Sequence, residues 1–363
     1  MRVVTFGEVM LRLAPPGKYR LSQVIPGQLT ATFGGGELNV AASIARQGGK
    51  AAFLTAVPDN VVTDSLVGEL RRWNVDADLI QRDPVGRFGI YFVETGGNQR
   101  GGTVTYDRDQ ACIALRTPDK YDWNTAFADA DWFHITGITP ALSEAAAASA
   151  LAAVQEAKKR GLRTSCDLNF RKKLWKWKKG TKPADLARET MRKLVASLDV
   201  VIANEEDAEL TLGIHAEGTS VEEGTINLEG YESVARQIVA QFPNVQQVAI
   251  TLRESHSADH NNWGAMFFDA KSDTAHFAPL NEAGEYEPYE MRNIVDRVGA
   301  GDSFAGGLIF ALRTPELAEP ETALRYAVAA SCLKHTIWGD FNDVSRAEIE
   351  ALMNGSGSGR VQR

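Results

Sequence analysis

Cysteine is scarce in this chain. Cys112, Cys166 and Cys332 are the only three in 363 residues; they lie far apart, with no Cys-x-x-Cys pair and no metal-ligand spacing. That excludes a disulfide framework and a zinc module, and reduced thiols of a cytoplasmic protein are the expectation. No stretch approaches 18 consecutive apolar residues, which excludes a membrane-spanning helix. Met1 to Phe6 runs directly into an apolar segment with no charged n-region or cleavage site, so no secretory leader is expected. Basic residues are outnumbered: a formal net charge of −8 excludes general nucleic-acid binding but leaves room for a small anionic substrate held by local arginines. Two nucleotide fingerprints are also missing. No Gly-x-x-x-x-Gly-Lys-Ser/Thr loop exists, and Gly34-Gly35-Gly36 lacks the third glycine of a dinucleotide turn, where Leu38 and Asn39 stand.

What is present is an alternation. Short apolar, β-branched runs recur at Val3 to Phe6, Ala51 to Thr55, Trp132 to Ile135, Thr164 to Leu168, Val200 to Ala203 and Val248 to Thr251, and they read as buried parallel strands. Between them lie helix-like stretches at Glu37 to Gln47, Thr63 to Trp73, Leu142 to Arg160 and Tyr231 to Gln241. The pattern predicts an α/β fold with helices on both faces of a sheet. Two segments interrupt it, about 11–32 with Pro15, Pro16, Gly17 and Pro26, and about 86–115, where Gly89 to Glu94 and Thr103 to Tyr106 flank a Gly-Gly-Asn turn. They are expected to pair into a small separate sheet over the strand ends, a lid whose apolar residues Ile90 and Phe92 suggest a homo-oligomer. One domain over 1–353 and a flexible Gly/Ser tail over 354–363 complete the expectation.

The densest chemical signal is Asp296-Arg297-Val298-Gly299-Ala300-Gly301-Asp302-Ser303-Phe304-Ala305-Gly306-Gly307, a glycine turn entering an apolar run. The first amides of the following helix lack intrahelical partners, and with the helix dipole they favour an anion. Gly299, Ala300 and Gly301 are the candidate anion hole, and Asp302 beside it could take a proton from an incoming hydroxyl. The same residues also fit an ordinary helix start with Asp302 as N-cap, so a second motif has to decide. It stands at the other end of the chain, in Phe33-Gly34-Gly35-Gly36-Glu37-Leu38-Asn39-Val40-Ala41.

Arg171-Lys172-Lys173-Leu174-Trp175-Lys176-Trp177-Lys178-Lys179 is the one dense basic run. Nucleic-acid stacking is one reading, but a single run in an acidic chain directly after a strand fits the rim of a site better, with Arg171 able to grip a carboxylate bidentately. His256 and His260 have metal-like spacing, yet their neighbours are loop formers and no third ligand is evident, so they read as surface histidines.

Together, Gly-Gly-Gly-x-x-Asn-x-Ala near the start and Asp-x-x-Gly-Ala-Gly-Asp near the end resemble the two signatures of the PfkB, ribokinase-like, carbohydrate kinase family, a resemblance spanning nearly the whole chain. It implies a three-layer α/β/α fold with a central mostly parallel sheet and a small β-sheet lid, ATP and Mg²⁺ as cofactors, and Asp302 as catalytic base. Phe6 to Leu13, Gly89 to Tyr91, Tyr106 to Arg108, Gly137 to Pro140 and Asp167 to Trp175 are similar to members acting on the sugar acid 2-keto-3-deoxygluconate. The resemblance then implies substrate contacts from Gly34, Gly35, Asn39, Tyr91, Tyr106, Arg108 and Arg171, the arginines facing the acid group. It implies ATP contacts from Asn204, Thr251, Gly299 and Gly301, with Asn204 and Asp207 organising the metal through water. The chain departs from the family in three places. The usual Asn-x-x-Glu is Asn204-Glu205-Glu206-Asp207, so Asp207 must reach or Glu206 substitute; the usual Asp-Thr is Asp296-Arg297; and the glycine-rich ATP loop after Thr251-Leu252 reads Arg253-Glu254-Ser255-His256. A family kinase for a neutral sugar, and a non-catalytic sugar-binding protein on the same scaffold, are the alternatives.

Overall fold

Strand β1 (Arg2–Phe6) shows why the central sheet forms. Val3, Val4 and Phe6 are fully buried, with Val4 and Phe6 in one apolar cluster and Val3 in another, so alternate side chains serve two cores. A strand buried on both faces needs cover on both, and the chain supplies helices to each. The computed structural model describes residues 1–204, 206–215 and 228–355; all but the first two residues of the tail expected over 354–363, and Glu205 of the Asn204 motif, lie outside the described residues.

Around β1 the main sheet contains β4 (Ala51–Pro58), β5 (Val75–Asp76), β6 (Ile80–Asp83), β9 (Ala130–Thr136), β10 (Arg163–Asp167), β11 (Val200–Ala203), β12 (Gln247–Ser257), β13 (His260–Asp269), β14 (Thr274–Ala278) and β15 (Tyr289–Arg292). Its order is β14-β13-β12-β11-β10-β9-β1-β4-β5, with β6 also on β4 and β15 on β13. Pairing is parallel from β12 through β11, β10, β9 and β1 to β4, and antiparallel where β13 joins β12, β14 and β15. The longer helices are α1 (Gly36–Arg46), α2 (Val61–Arg72), α3 (Glu144–Lys159), α4 (Pro183–Val195), α6 (Leu228–Gln241), α7 (Ala300–Leu312), α8 (Pro320–Lys334) and α9 (Arg346–Met353), with a short α5 (Asp207–Leu212) after β11. No described helix is long and apolar enough to cross a membrane.

The two interrupting segments do form a separate sheet, from β2 (Met10–Ala14), β3 (Thr30–Gly34), β7 (Gly89–Glu94) and β8 (Thr103–Asp107), in the order β3-β2-β7-β8. Its register sorts the two faces. Thr32, Arg12, Tyr91 and Tyr106 stand in one row across the sheet, with Arg12 and Tyr91 buried; the rows on the other face are Phe33, Leu11, Ile90 and Asp107, then Ala31, Leu13, Phe92 and Thr105. One face therefore turns a cation and two phenols inward while the other leaves apolar side chains half-exposed.

One expectation needs correction. The neighbourhood of His256 and His260 is not a loop but the tip of the β12–β13 hairpin, where Ser255 pairs with Asn261 and Ser257 with His260. Cross-strand backbone bonds outweigh the turn preference of those side chains. The two rings lie 4.6 Å apart, and His260 Nε2 faces Glu290 Oε1 at 3.1 Å, away from the cleft described next.

Candidate active site

At the carboxyl ends of β1, β10 and β11 the chain leaves the sheet through Glu8, Asp167 and Asn204, and β12 carries Thr251 alongside them before continuing to Ser257. These residues, together with the small sheet, enclose a cleft of about 550 Å³. The crevice outside the strand ends is where a parallel α/β sheet binds ligands. Gly35, Asn39, Tyr91, Tyr106, Arg108, Arg171, Asn204, Asp207, Thr251, Gly299, Ala300, Gly301 and Asp302 all line it, so the sequence motifs converge in one place. Gly34 is the exception. It ends β3 behind the lining, against Asp340 and the Tyr91 hydroxyl, which leave no room for a side chain.

Helix α7 starts at the floor of this cleft. Its N-cap, Gly299, has φ 82°, and a Cβ there would drive into the Asp340 carbonyl, so both conformation and space demand glycine. The bond that opens the helix runs from Ser303 N to Gly299 O at 2.8 Å; just before it, Ala300 N reaches only the Arg297 carbonyl, at 3.4 Å, and the amides of Gly301 and Asp302 have no backbone acceptor among the described residues. Asp302 Oδ2 accepts a 2.7 Å hydrogen bond from Asn39 Nδ2 on α1. Burial pushes the Asp302 carboxyl up to about 6, Asp340 adds repulsion, and Asn39, Arg171 and Lys334 pull the other way. A carboxylate with that value is ionised at neutral pH and still basic enough to take a proton.

The opposite wall is aromatic and cationic. Tyr91 and Tyr106 stack with centroids 6.1 Å apart, and the Arg108 guanidinium lies 5.1 Å over the Tyr106 ring. Arg108 Nη2 donates to Glu8 Oε2 in a buried ion pair that sequence reasoning missed, since nothing local links residues 100 positions apart. Glu8 is 3% exposed, its other oxygen has no partner among the described residues, and burial raises its carboxyl against the pull of Arg108. Arg171 differs. It is exposed at the rim, its guanidinium donates to the neighbouring Phe170 carbonyl at 3.3 Å, and Lys172 and Lys173 line the cleft beside it. Trp175, fully buried, anchors this otherwise irregular basic segment.

Below Arg171 two carboxylates meet. Burial, then Asp207, pushes Asp167 well above the usual carboxylate range, and burial raises Asp207 as well. Asp207 accepts from Phe170 N at 2.9 Å and Asn204 N at 3.2 Å, while Asn204 Oδ1 accepts from the amides of Glu206 and Asp207 at 3.0 and 3.1 Å. Asn204 therefore caps the α5 turn and Asp207, not the exposed Glu206, faces the cleft. Asn169, at φ 39°, also lines it, with a buried Oδ1 that has no partner among the described residues. Asp167 and Asn169 were legible only as part of a run after a strand.

Behind the start of α7 lies a charged core. Arg12 is fully buried on β2; its Nη1 donates to Asp340 Oδ1 at 2.7 Å and its Nη2 to Asp296 Oδ2 at 2.5 Å. Asp296 in turn accepts from Val298 N at 3.0 Å and Gly339 N at 3.1 Å. Lys334, also fully buried, donates to the Ile337 carbonyl at 3.1 Å, and burial lowers its pKa. The small sheet is thus tied by one guanidinium to the loop that presents Gly299 to Asp302.

A near-neutral carboxylate beside the open amides of a helix start, at the carboxyl edge of a parallel sheet and under a second sheet, defines an enzyme that moves a phosphoryl group onto a hydroxyl. The chain belongs to the pfkB family of carbohydrate kinases, matched over residues 1–339. It is 31% identical over 357 residues to a 2-dehydro-3-deoxygalactonokinase of Haloferax volcanii, covering 98% of each chain. It is also similar to a crystal structure of 2-dehydro-3-deoxygluconokinase from Thermotoga maritima, with TM-score 0.87, 41% identity, and coverage of 98% of this chain and 100% of that one. An Escherichia coli chain described as a putative ribokinase II in complex with ATP and Mg²⁺ shares the fold at TM-score 0.73 and 20% identity, covering 97% of this chain and 99% of that one. The main sheet, its helices and the small sheet are therefore those of a ribokinase-like sugar kinase.

Proposed function

We propose that this kinase transfers the γ-phosphoryl group of ATP to the terminal hydroxyl of a sugar acid, 2-keto-3-deoxygluconate, giving the 6-phosphate. The observation that carries the reading is Arg171: an exposed guanidinium that closes no ion pair with a described residue, although Asp167, Asp207 and Asp302 feel its charge, flanked by Lys172 and Lys173 in the cleft that holds Asp302. A sugar acid differs from a neutral sugar by one carboxylate, and this is the group such a cation recognises. The names of the two similar kinases above point to the same class of substrate.

In this reading Asn39, Gly35, Tyr91 and Tyr106 hold the carbon chain, with Gly34 shaping the wall behind them, and Arg171 and Arg108 face its acid end. Asp302 accepts the hydroxyl proton as that oxygen attacks phosphorus, and the amides after Gly299 stabilise charge on the transferred oxygens. Thr251, Asn204, Gly299 and Gly301 border the space for the nucleotide. Asp167, Asp207 and the unpartnered Asn169 Oδ1 form an oxygen-rich wall suited to hydrated Mg²⁺. The described residues contain no group of three or more acidic, His or Cys side chains that would grip a bare ion, so the metal would be shared with phosphates. When bound, Mg²⁺ neutralises charge on the phosphate oxygens.

Because Glu8 already balances Arg108, the burden of recognising a carboxylate falls mainly on Arg171. Arg171→Ala is expected to raise the KM for the sugar acid by about 1.5 to 3 kcal/mol of lost binding, with the ATP KM nearly unchanged; steady-state kinetics with each substrate varied checks it. The Glu8–Arg108 pair also favours a second reading, a neutral sugar, since it removes one net positive charge from the wall. ADP release measured with 2-keto-3-deoxygluconate, its galactonate-derived epimer, fructose, ribose and gluconate decides: preference for a keto-deoxy acid upholds the proposal, and preference for fructose or ribose replaces it.

The half-exposed outer face of the small sheet, with Leu11, Leu13, Ile90 and Phe92, would serve as a subunit contact in a cytoplasmic homo-oligomer. A mass in solution of at least twice that of the chain is expected, falling to one chain in Ile90→Glu.

A further inference from the structure

We propose that Arg253 and Arg297 together form a two-guanidinium cradle for the phosphate chain of the donor nucleotide, at the end of the cleft opposite the sugar-acid arginines. The inference rests on the ATP-dependent reading above.

Both arginines stand where the chain departs from its family's pattern, and the structure brings these two departures together. Thr251 and Arg253 are two apart on β12 and share the face that lines the cleft; Trp263 pairs with Arg253 across β13, and Asn261 stands two further on, both lining the cleft too. Arg297 reaches this surface from the loop leading to Gly299. Its Nη2 donates to Asn261 Oδ1 at 2.7 Å and to the Ser257 carbonyl, which fixes the plane of the guanidinium, while its buried Nε has no partner among the described residues. Arg253 is exposed at the mouth, and its side chain makes no hydrogen bond or ion pair with any described residue.

The two cations are close enough to repel. Burial and then Arg253 hold Arg297 below its ordinary value, and Asp259, the carboxylate acting in the opposite sense, is itself bonded to Lys18 Nζ at 2.7 Å. Two guanidiniums facing one cleft, neither in an ion pair with a described carboxylate, in a chain of net charge −8, are an electrostatic cost unless an anion completes the site. The anion must be extended, because Arg297 is two residues from Gly299: a phosphoryl group at the helix start leaves the next phosphates level with Arg297 and Arg253. Planar forks suit successive phosphate oxygens. In a glycine-rich loop backbone amides would make these contacts; here side chains take their place.

The test varies Mg²⁺-ATP and sugar acid separately in wild type, Arg253→Met, Arg297→Met and the double variant. The ATP KM is expected to rise by roughly tenfold in each single variant and on the order of a hundredfold in the double, with the sugar KM within about twofold and a weaker salt dependence of ATP binding. Unchanged ATP KM in both single variants, or a rise in the sugar KM in its place, overturns the inference. Arg253 supports no other described residue, so if Arg297→Met fails to fold, Arg253→Met decides alone. Calorimetric titration of Mg²⁺-ATP without any sugar repeats the comparison, so an error about the acceptor sugar leaves this result interpretable.

Discussion

Asp302→Asn is expected to lower turnover by about two to four orders of magnitude while making the protein more stable. The first half follows from the missing base: an amide keeps the shape, and can still meet Asn39, but has no lone pair basic enough for the hydroxyl proton. The second half follows from the raised carboxyl, at about 6 against an ordinary 3.8. A carboxyl whose folded-state value lies above its unfolded one favours the neutral form in the fold, so its contribution falls as pH rises from about 4 to about 6, and the full penalty applies above that. A shift of that size corresponds to at most about 3 kcal/mol, and solvent reaching the partly exposed side chain cuts it to about 1 to 2 kcal/mol. Asp302→Asn should therefore melt a few degrees higher than wild type at pH 7.5, with the difference vanishing near pH 4. The same ionisation predicts that wild-type kcat/KM climbs with pH to a plateau above about 6. Near-normal turnover in the variant would remove Asp302 from the role; a loss of activity together with a lower melting point would make its role structural.

What could be read from the sequence here was what is contiguous. Gly299-Ala300-Gly301-Asp302 is a turn and a helix start in one stretch, and its conformation is dictated by residues no more than a few positions apart. The same holds for Gly35 to Asn39 at the start of α1, and for the β-branched runs that became β1, β10 and β11. The small sheet was legible because proline and glycine broke the α/β rhythm twice. Arg108 illustrates the limit. Its place in the cleft lining was legible from a motif, but its charge balance depends on Glu8, brought beneath it only when β7 lies parallel to β2. Asp340 is likewise invisible locally: it follows α8 in an irregular segment, yet it touches Arg12, approaches Asn39 at 3.4 Å and raises Asp302. The hairpin at His256 to His260 was misread for a related reason, because its strand character is imposed by the partner strand.

Arg12→Met is expected to cost about 3 to 5 kcal/mol of stability, the largest single loss outside the glycine positions. Methionine replaces the volume but leaves Asp296 and Asp340, both nearly inaccessible, without the cation that each contacts. Lys334 compensates only in part: its ammonium feels Asp296 and Asp340, but it bonds the Ile337 carbonyl, makes no ion pair with either carboxylate and is itself disfavoured by burial. Arg12→Lys should fall between, since one ammonium cannot span two carboxylates as the guanidinium fork does. Urea unfolding measures the loss, and an unchanged midpoint would mean that water reaches the two carboxylates freely. Activity should fall further than the remaining folded fraction explains, because Asp296 holds the Val298 amide and so sets the approach to Gly299. The triple variant Arg12→Met, Asp296→Asn, Asp340→Asn separates the two effects. Neutral amides restore much of the stability by removing the unpaired charges, but they do not restore the clamp between the small sheet and the loop before α7, so turnover should stay low. Recovery of both together would show that Arg12 only balances charge; recovery of stability alone would show that closure of the small sheet over the sugar and alignment of the phosphoryl site are one mechanical event.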